Sequence, residues 1–495
     1  MLRPSASDRG GLHHGIAAAT AAAAVAVGVL AAPPLAAQSA EVVALVGGTV
    51  IDGTGAAPLV DGVVVVDGDR IVCAGSRDAC AVPDDAEVVD VSGRYVTPGL
   101  VDAHVHFSQT GWLDGRPDGL TAEEYPYDET AEALEAEPER WAQSYLCSGI
   151  TAVFDVGGHP WTTRLPARFE DDPTAVHVRA AGPLITHARV PALQVDDEVY
   201  TFLPMGSADE ARESARRVAE MGAGAVKVWY LGVGPERAPA MDAALAAVGE
   251  EARAAGLDLI VHATGLREAK AALRAGAFLL VHSVEDQFVD DEFLEMLVAG
   301  ETIYAPTLTV GANWSRAISS VVLDRAAGID DPNGCVDADT REKVAATTML
   351  RDDMNSRLLD DAEYVYRRMR AAGRSEAIMA ENLRRVHEAG GVIATATDAG
   401  NPMTLHGPSI YAELEAMQAA GLTPSEVITL STLNGARAMR READFGTLAG
   451  GKIADLLVLG QDPTQDVRAF RTVEHVMRAG ELHSMAELAA AAGRR

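Results

Sequence analysis

The chain has 495 residues, which suffices for one large α/β barrel and a smaller appended domain. Hydrophobic residues make up 48% of the sequence, enough for a sizeable core. The formal net charge of −31 at pH 7 argues against nucleic acid or an anionic membrane surface as a partner, and we interpret it as a solubilising surface.

Residues 1–37 are predicted to be a secretory signal peptide. Arg3 and Arg9 make the start weakly basic, an Ala- and Val-rich run follows over residues 16–30, and small residues precede an expected cleavage after Ala37. The run is too short for a comfortable transmembrane span, and no Cys directly follows the cleavage point to carry a lipid. We therefore expect a secreted or periplasmic bacterial protein without a membrane anchor. An uncleaved Ala-rich tail is the alternative.

Residues 41–97 are predicted to form the first part of a small β-sandwich domain. Alternating valines between Gly and Asp turns, as in GVVVVDGDRIVCAG, are typical of short strands. The same pattern of short apolar strands and turn residues occurs over residues 441–483. The simplest arrangement therefore pairs both ends of the chain in one β-sandwich. The closing AELAAAAGRR is predicted to be a frayed helix.

Residues 98–440 alternate between predicted strands and helices. Eight apolar segments fit strands: GLVDAHVHF, ITAVFDVGG, AVHVRAAGPLIT, GAVKVWYLG, LDLIVHATG, FLLVHSVED, TIYAPTLTV and VIATATDAG. Strands of this kind that alternate with helices favour a parallel sheet, and eight units predict a closed (β/α)8 TIM-type barrel. An open doubly wound sheet is the alternative, but no Gly-rich phosphate loop follows the first strand. The long interval 313–389 is predicted to form acidic helices as a lid or side layer.

The four cysteines give a weaker signal. Cys73 and Cys80 flank a short turn and can form a disulfide in an oxidising compartment, a point that the sequence leaves open. Cys147 and Cys335 are expected to be buried or idle rather than paired. None of the four lies in a metal-binding CxxC motif.

Polar side chains recur in the predicted barrel strands, whose carboxyl ends carry the chemistry of barrel enzymes. The six residues are His104, His106, Lys227, His262, His282 and Asp398. The first two are two residues apart on one strand and therefore share a face. Burial of any of the six without a partner would be costly. Singly, a histidine is more often a hydrogen-bonded core residue, but six such coincidences indicate a shared metal site.

Seven motifs occur in the order of a known family. They are VTPGLVDAHVHF, GAVKVW, LIVHATG, LLVHSVED, TATDAGNPMTLHG, LTPSEVITLSTLNGARAM and GTLAGGKIADLLVLGQDP. With them the chain resembles the amidohydrolase superfamily over about residues 43–482. More narrowly, it is similar to the imidazolonepropionase-like branch that includes Xaa-Pro and Xaa-Lys/Arg dipeptidases.

The resemblance implies two divalent metal ions, with zinc the first choice and manganese, iron or cobalt also suitable. One metal would be held by His104, His106 and Asp398, and the other by His262 and His282. Lys227, carboxylated by carbon dioxide to a carbamate, would bridge the pair. That lysine argues against the single-metal members, which include deaminases and imidazolonepropionase itself.

The resemblance also implies the reaction. A hydroxide activated by the metal ions attacks a carbonyl, and Asp398 carries the proton to the leaving nitrogen. We therefore predict an exported dinuclear amidohydrolase that cleaves an amide or peptide-like C–N bond in a small molecule such as a dipeptide or N-acyl amino acid. A lactone, carbamate or organophosphate ester hydrolase is one alternative, and a non-catalytic binding protein on a barrel is another.

Five residues in the expected loops are candidates for substrate binding, each with a purely structural loop role as the alternative. They are Tyr230, His187, Arg189, His159 and His406. After strand three this chain reads GPLITHARVP, where related dipeptidases often carry a Gly-Gly-His loop. This departure argues against transferring a preference for proline dipeptides. The sequence leaves the oligomeric state open, a homo-oligomer included.

Overall fold

The computed structural model describes residues 42–117, 124–351 and 362–493. The predicted signal peptide, residues 1–37, lies outside these ranges. We number the strands and α-helices of the described ranges in chain order.

Seventeen strands lie in the described ranges. They are β1 (Val42–Val50), β2 (Leu59–Asp67), β3 (Arg70–Ser76), β4 (Glu87–Asp90), β5 (Tyr95–Pro98), β6 (Leu100–Val105), β7 (Ile150–Asp155), β8 (His177–Ala180), β9 (Leu184–Thr186), β10 (Phe202–Pro204), β11 (Ala225–Trp229), β12 (Asp258–His262), β13 (Leu279–Val281), β14 (Ile303–Ala305), β15 (Leu456–Leu459), β16 (Val473–Arg478) and β17 (Glu481–Ser484).

Fourteen α-helices lie in the same ranges. They are α1 (Tyr127–Ala136), α2 (Glu139–Cys147), α3 (Leu165–Phe169), α4 (Ala208–Glu220), α5 (Ala238–Ala254), α6 (Leu266–Arg274), α7 (Asp291–Ala299), α8 (Val310–Val322), α9 (Ala338–Ala345), α10 (Ala362–Glu388), α11 (Ser409–Ala419), α12 (Pro424–Ser431), α13 (Leu433–Ala438) and α14 (Met485–Ala492). Among these helices, none combines the length and the apolar character that crossing a membrane requires.

Strands from both ends of the chain share one eight-stranded sheet. Its order is β17-β16-β15-β5-β1-β2-β3, with β4 paired to β1. The two ends meet where β15 runs antiparallel to β5. Strand alternation places Val64 and Val66 of β2 in one apolar cluster and Val63 and Val65 in another, so each face of the sheet is covered.

The middle of the chain forms two parallel sheets. One has the order β6-β7-β8 and the other β10-β9-β11-β12-β13-β14. The predicted third strand is split into β8 and β9, because Gly182 between them adopts φ +66°. β10, which the sequence did not single out, pairs in parallel with β9.

The predicted eighth strand, residues 392–400, forms no ladder and instead makes isolated bridges to both parallel sheets. One bridge joins Ile393 to Tyr304 of β14, and another joins Ala399 to Val105 of β6. The amide of Asp398 also donates to the carbonyl of His104 at 2.8 Å. This segment therefore lies between β14 and β6 and places Asp398 beside the carboxyl end of β6.

Both pairs of cysteines form disulfides. Cys73 pairs with Cys80, a point that the sequence left open. Cys147 pairs with Cys335, so the expectation that these two are unpaired is wrong. The two residues are 188 positions apart, and only the fold brings the end of α2 to the segment before α9. Sequence spacing carries no signal for such a contact.

Candidate active site

The six predicted metal ligands line a single cavity of about 380 Å³. They are His104, His106, Lys227, His262, His282 and Asp398. Each lies in or directly after a parallel strand, or in the 392–400 segment. All are buried except His262, which is half-buried. The fold thus gathers ionisable groups that the sequence spreads over almost 300 residues.

β6 supplies two imidazoles. The Nε2 atoms of His104 and His106 lie 3.1 Å apart. The Nδ1 of His106 contacts the carbonyl of Gly157 at 2.5 Å. Because a carbonyl only accepts hydrogen bonds, Nδ1 carries the hydrogen and Nε2 keeps its lone pair for a metal. Gly157 adopts φ +147°, and a Cβ there would lie 2.6 Å from Leu184, so the carbonyl depends on glycine.

Asp398 joins these two imidazoles. Its Oδ1 lies 3.1 Å from Nε2 of His104 and 3.0 Å from Nε2 of His106. Asp398 adopts a left-handed backbone with φ +64°. Such a conformation costs a non-glycine residue about 1–3 kcal/mol and is common at functional sites. Gly400 follows at φ +108°, where a Cβ would lie 2.8 Å from the carbonyl oxygen of His106.

His282 is a second strained ligand candidate, with φ +73°. Its Nδ1 lies 2.7 Å from Oγ1 of Thr307, which fixes the ring. The ring centroid is 4.4 Å from that of His262 and 5.0 Å from that of His104. The Nε2 of His282 is 4.0 Å from Oδ2 of Asp398. His282 therefore lies between the β6 pair and His262.

The loop that carries Thr307 is held by the buried carboxylate of Glu413 on α11. Its Oε1 accepts from the amide of Leu308 at 2.6 Å, and its Oε2 accepts from the amide and hydroxyl of Thr309 at 3.0 and 2.9 Å. Burial raises the pKa of Glu413 to about 7, although these hydrogen bonds oppose the rise. Glu413 thus positions Thr307 and, through it, His282.

Lys227 lies in the middle of β11 and is 1% exposed. β11 and β12 pair in register, with Trp229 opposite His262. Burial lowers the pKa of Lys227 from 10.5 to about 7, although nearby carboxylates such as Asp398 oppose the change. A substantial share of this amine is therefore neutral, and hence nucleophilic, near pH 7.

The other groups also have altered protonation. Burial lowers the pKa of His104, His262 and His282 well below 6.5. Burial alone would raise the pKa of Asp398, but the adjacent side chains of His106, His282 and Lys227 hold it below its ordinary value. Neutral imidazoles beside an ionised carboxylate are the forms that bind a metal ion.

Two buried aspartates that the sequence did not single out brace this arrangement. Asp102 accepts from the amides of Thr397 and His104 at 3.0 and 3.2 Å and from the Thr397 hydroxyl at 2.5 Å. Asp155 accepts from the amide of Phe107 at 2.8 Å. Burial raises the pKa of Asp102 to about 7. The sequence did contain a sign of the role of Asp102, because this residue lies two positions before His104 and therefore on the same face of the strand.

The donor set fits a divalent cation. Ligand atoms of His104, His282 and Asp398 all lie within 4.8 Å of one another. Imidazole nitrogen and carboxylate oxygen are the ligands that zinc, manganese, iron and cobalt accept. The described residues therefore form a possible metal site at the end of the parallel strands.

Comparison with known proteins identifies the family. A sequence model of the amidohydrolase family matches residues 95–483. The chain belongs to this family. An imidazolonepropionase from Streptomyces coelicolor is 26% identical over 419 residues, which cover 81% of this amidohydrolase and 85% of the relative. An imidazolonepropionase from Streptomyces griseus is 27% identical over 453 residues, covering 87% and 94%.

Solved structures agree on the fold. A Xaa-Pro dipeptidase with bound methionine has a TM-score of 0.67 at 21% identity, covering 90% of this chain and 100% of its own. Molinate hydrolase has a TM-score of 0.65 at 22% identity, covering 90% and 96%. These neighbours imply a TIM-type barrel with an extra domain. Together the similarities fit the predicted branch and indicate a hydrolase acting on C–N bonds, in a family that generally uses a metal ion.

Three predicted substrate contacts of this amidohydrolase lie away from the metal ligands. The hydroxyl of Tyr230 donates to Asp242 rather than facing the cavity. His187 and Arg189 line a second cavity of about 370 Å³, and Nε2 of His187 contacts the carbonyl of Leu231 at 3.0 Å. None of the three is among the described residues that line the metal-site cavity.

The two remaining candidates are buried behind the cavity. Nε2 of His159 lies 3.2 Å from the hydroxyl of Tyr127, and burial lowers the pKa of His159 to about 4. His406 stacks on Trp141 with centroids 4.1 Å apart, and its Nδ1 lies 2.6 Å from the hydroxyl of Tyr145. Burial lowers the pKa of His406 to about 3. Both are therefore neutral near pH 7, and the described cavity lining includes neither.

The cavity of the amidohydrolase also has walls that sequence reasoning missed. Trp229 stacks on Phe202 with centroids 5.3 Å apart and meets His262 edge-on at 5.9 Å. Trp314 and Arg116 also line the cavity. Trp229 lies in a strand, where an aromatic residue usually belongs to the hydrophobic core. Arg116 lies in an irregular loop and fits no sequence motif. The sequence therefore gave no reason to assign either residue to a site.

Proposed function

We propose that this amidohydrolase is an exported dinuclear metalloenzyme that hydrolyses an amide or peptide-like C–N bond of a dipeptide or N-acyl amino acid. The observation that carries the proposal is the shared cavity, where four imidazoles, a buried lysine and a buried carboxylate converge. A binding protein on a relic barrel would have no need to keep all six.

The ligands divide into two sets. His104, His106 and Asp398 would hold one divalent cation, and His262 and His282 the other, with zinc the first choice. Lys227 would bridge them once its neutral amine attacks carbon dioxide, forming an N–C bond and releasing a proton. The carbamate offers two anionic oxygens where the amine offers one neutral nitrogen. The lowered pKa of Lys227 supports this step because only the neutral amine reacts.

The residues around the scissile bond then have defined tasks. When bound, the cations would lower the pKa of water and polarise the scissile carbonyl. Asp398 accepts the proton that the attacking water loses as the new C–O bond forms. The same carboxyl then donates that proton to the leaving nitrogen as the C–N bond breaks. Its ionised state and its place beside two imidazoles suit the first of these roles.

Export is supported by the two disulfides. Disulfides such as Cys73–Cys80 and Cys147–Cys335 persist in oxidising compartments and are rare in the cytosol. The composition of residues 1–37 agrees with this location. We propose secretion or periplasmic residence, with small molecules as the partners.

A substrate panel tests the reaction class. The purified protein, supplied with zinc and bicarbonate, is assayed against dipeptides, N-acyl amino acids, lactones, carbamates and organophosphate esters. We expect turnover of the amide substrates, lost after chelation and restored by metal. Turnover of lactones or esters alone would replace the proposed reaction with the alternative one. A fully metal-loaded protein that is inactive on every class would argue for a binding role.

A further inference from the structure

We infer that Trp229 and Phe202 bind an aromatic group on the acyl half of the substrate, and so determine specificity for amides of aryl-substituted acids. This inference rests on the proposed amide hydrolysis and narrows its substrate class. Neither residue is among the proposed metal ligands or among the substrate contacts that the sequence indicated.

One wall of the metal-site cavity is apolar. It is built by β9, β10 and β11, which are neighbours in one parallel sheet, and by the turn at residues 191–193. The side chains of this wall are Leu184, Leu193, Phe202 and Trp229. The two leucines are only 6% and 4% exposed, whereas Phe202 and Trp229 are half-buried. The apolar surface that a ligand can reach therefore belongs to the two aromatic residues.

The rings of Trp229 and Phe202 are arranged to receive a third ring. They stack with an interplanar angle of 10° and centroids 5.3 Å apart. Trp229 lies two residues beyond Lys227 on β11 and therefore shares its face of the strand. The Trp229 ring also meets His262 edge-on at 5.9 Å. Because aromatic rings favour offset-stacked and edge-to-face contacts, an aryl group in the cavity finds flat partners beside a proposed metal ligand.

The position of Asp398 decides which half of the substrate reaches these rings. β9, β10 and β11 lie at one end of the six-stranded sheet, and the 392–400 segment bridges β14 at the other end. Asp398 protonates the leaving nitrogen in the proposed reaction, so the leaving half lies toward its segment. The acyl half then extends toward β11, where Trp229 borders His262.

A third aromatic residue of the cavity, Trp314, lies on the Asp398 side. Its indole nitrogen donates to Oδ1 of Asn401 at 3.3 Å, and Nδ2 of Asn401 donates to the carbonyl of Asp398 at 3.2 Å. The guanidinium carbon of Arg116 lies 5.4 Å from the Trp314 ring centroid, so this ring already has a cationic partner. The stacked pair on the opposite wall is therefore the better site for an aryl group.

Two isomeric substrates test this inference. N-phenylacetylglycine carries its ring on the acyl half, whereas N-acetylphenylglycine carries it on the leaving half, and N-acetylglycine has no ring. All three have the same free carboxylate. We expect the wild type to hydrolyse N-phenylacetylglycine with a kcat/KM about tenfold or more above that of N-acetylglycine, as burial of a ring allows. The gain for N-acetylphenylglycine should be smaller.

Variants of the two rings assign the preference to them. Trp229→Leu and Phe202→Leu should each lower the ratio of kcat/KM for N-phenylacetylglycine to that for N-acetylglycine by about 2- to 10-fold, the range for an aromatic pair. The loss should fall mainly in KM. Phe288→Leu, at an exposed aromatic residue outside the described cavity lining, is the matched control and should keep the wild-type ratio.

The outcomes separate this inference from the proposed function. If the wild type shows no preference for the acyl ring, or if the ring variants leave the ratio unchanged, the inference is wrong while amide hydrolysis stands. If the wild type hydrolyses lactones but no amide, the proposed function itself fails. Should a Leu variant not fold, the wild-type comparison of the two isomers decides: faster hydrolysis of N-acetylphenylglycine would overturn the inference.

Discussion

Asp398→Asn is expected to bind metal ions and yet lose nearly all turnover. The amide oxygen can still act as a ligand beside His104 and His106, but it cannot carry a proton. Removing a proton-transfer group costs about 10²- to 10⁴-fold in rate, so we expect kcat to fall by about 10³-fold or more. Steady-state kinetics of the zinc-loaded variant, with its metal content measured in parallel, checks this.

Glu285→Gln is the matched control for Asp398→Asn, because Glu285 also lines the cavity but is not among the proposed ligands. We expect kcat of this control variant to fall by less than about tenfold, because only the charge of the cavity changes. An Asp398→Asn variant that keeps substantial activity, or one no worse than the control, would remove Asp398 from the proton-transfer step.

Lys227→Met is expected to lose both activity and one of the two proposed metal ions. Methionine has similar length and is apolar, so the buried position tolerates it, but it cannot form a carbamate. Metal analysis of the purified variant should give at most one ion per chain, and kcat should fall by about 10³-fold or more, as expected for loss of metal-assisted catalysis. Lys270→Met, at a lysine paired with Asp290 and Glu292 outside the cavity, is the control and should change neither.

The state of Lys227 also predicts a pH dependence. Its pKa is lowered by burial to about 7, so the neutral amine increases as pH rises through 7. Reactivation after chelation, with zinc added back and bicarbonate adjusted at each pH to keep dissolved carbon dioxide constant, should therefore be faster at pH 8 than at pH 6, and slower without bicarbonate. A recovery indifferent to bicarbonate would contradict carboxylation of Lys227.

The metal-ligand candidates were accessible from sequence because strand periodicity and chain order constrain them. His104 and His106 had to share a face, and His262 and His282 each followed an apolar strand. The structure brings these residues to one cavity together with Lys227. Family motifs supplied the roles that position alone could not.

Other features depended on contacts that no local pattern encodes. The Cys147–Cys335 disulfide joins residues 188 positions apart. Tyr230 follows the strand of Lys227, but its hydroxyl faces Asp242 because alternation along an extended chain sends neighbouring side chains to different sides. Arg116 lies in an irregular segment, where neither periodicity nor spacing predicts the direction of a side chain.

The predicted eighth strand shows the same limit. Residues 392–400 have the apolar composition of a strand, yet the left-handed backbone at Asp398 breaks the regular extended conformation. Hydrogen bonds to Asp102 and to the backbone of His104 stabilise that turn instead of a ladder. The departure from regular structure falls at the proposed catalytic residue, where strain is most often found.

The metal content of the purified protein tests the central claim most directly. After reconstitution with zinc and bicarbonate and removal of loosely bound ions, elemental analysis should give two zinc ions per chain. The double variant His104→Ala, His262→Ala lacks one ligand from each proposed set and should bind far less zinc per chain than the wild type. A wild-type protein that holds no zinc, or never more than one ion per chain, would contradict the dinuclear centre and the reaction built on it.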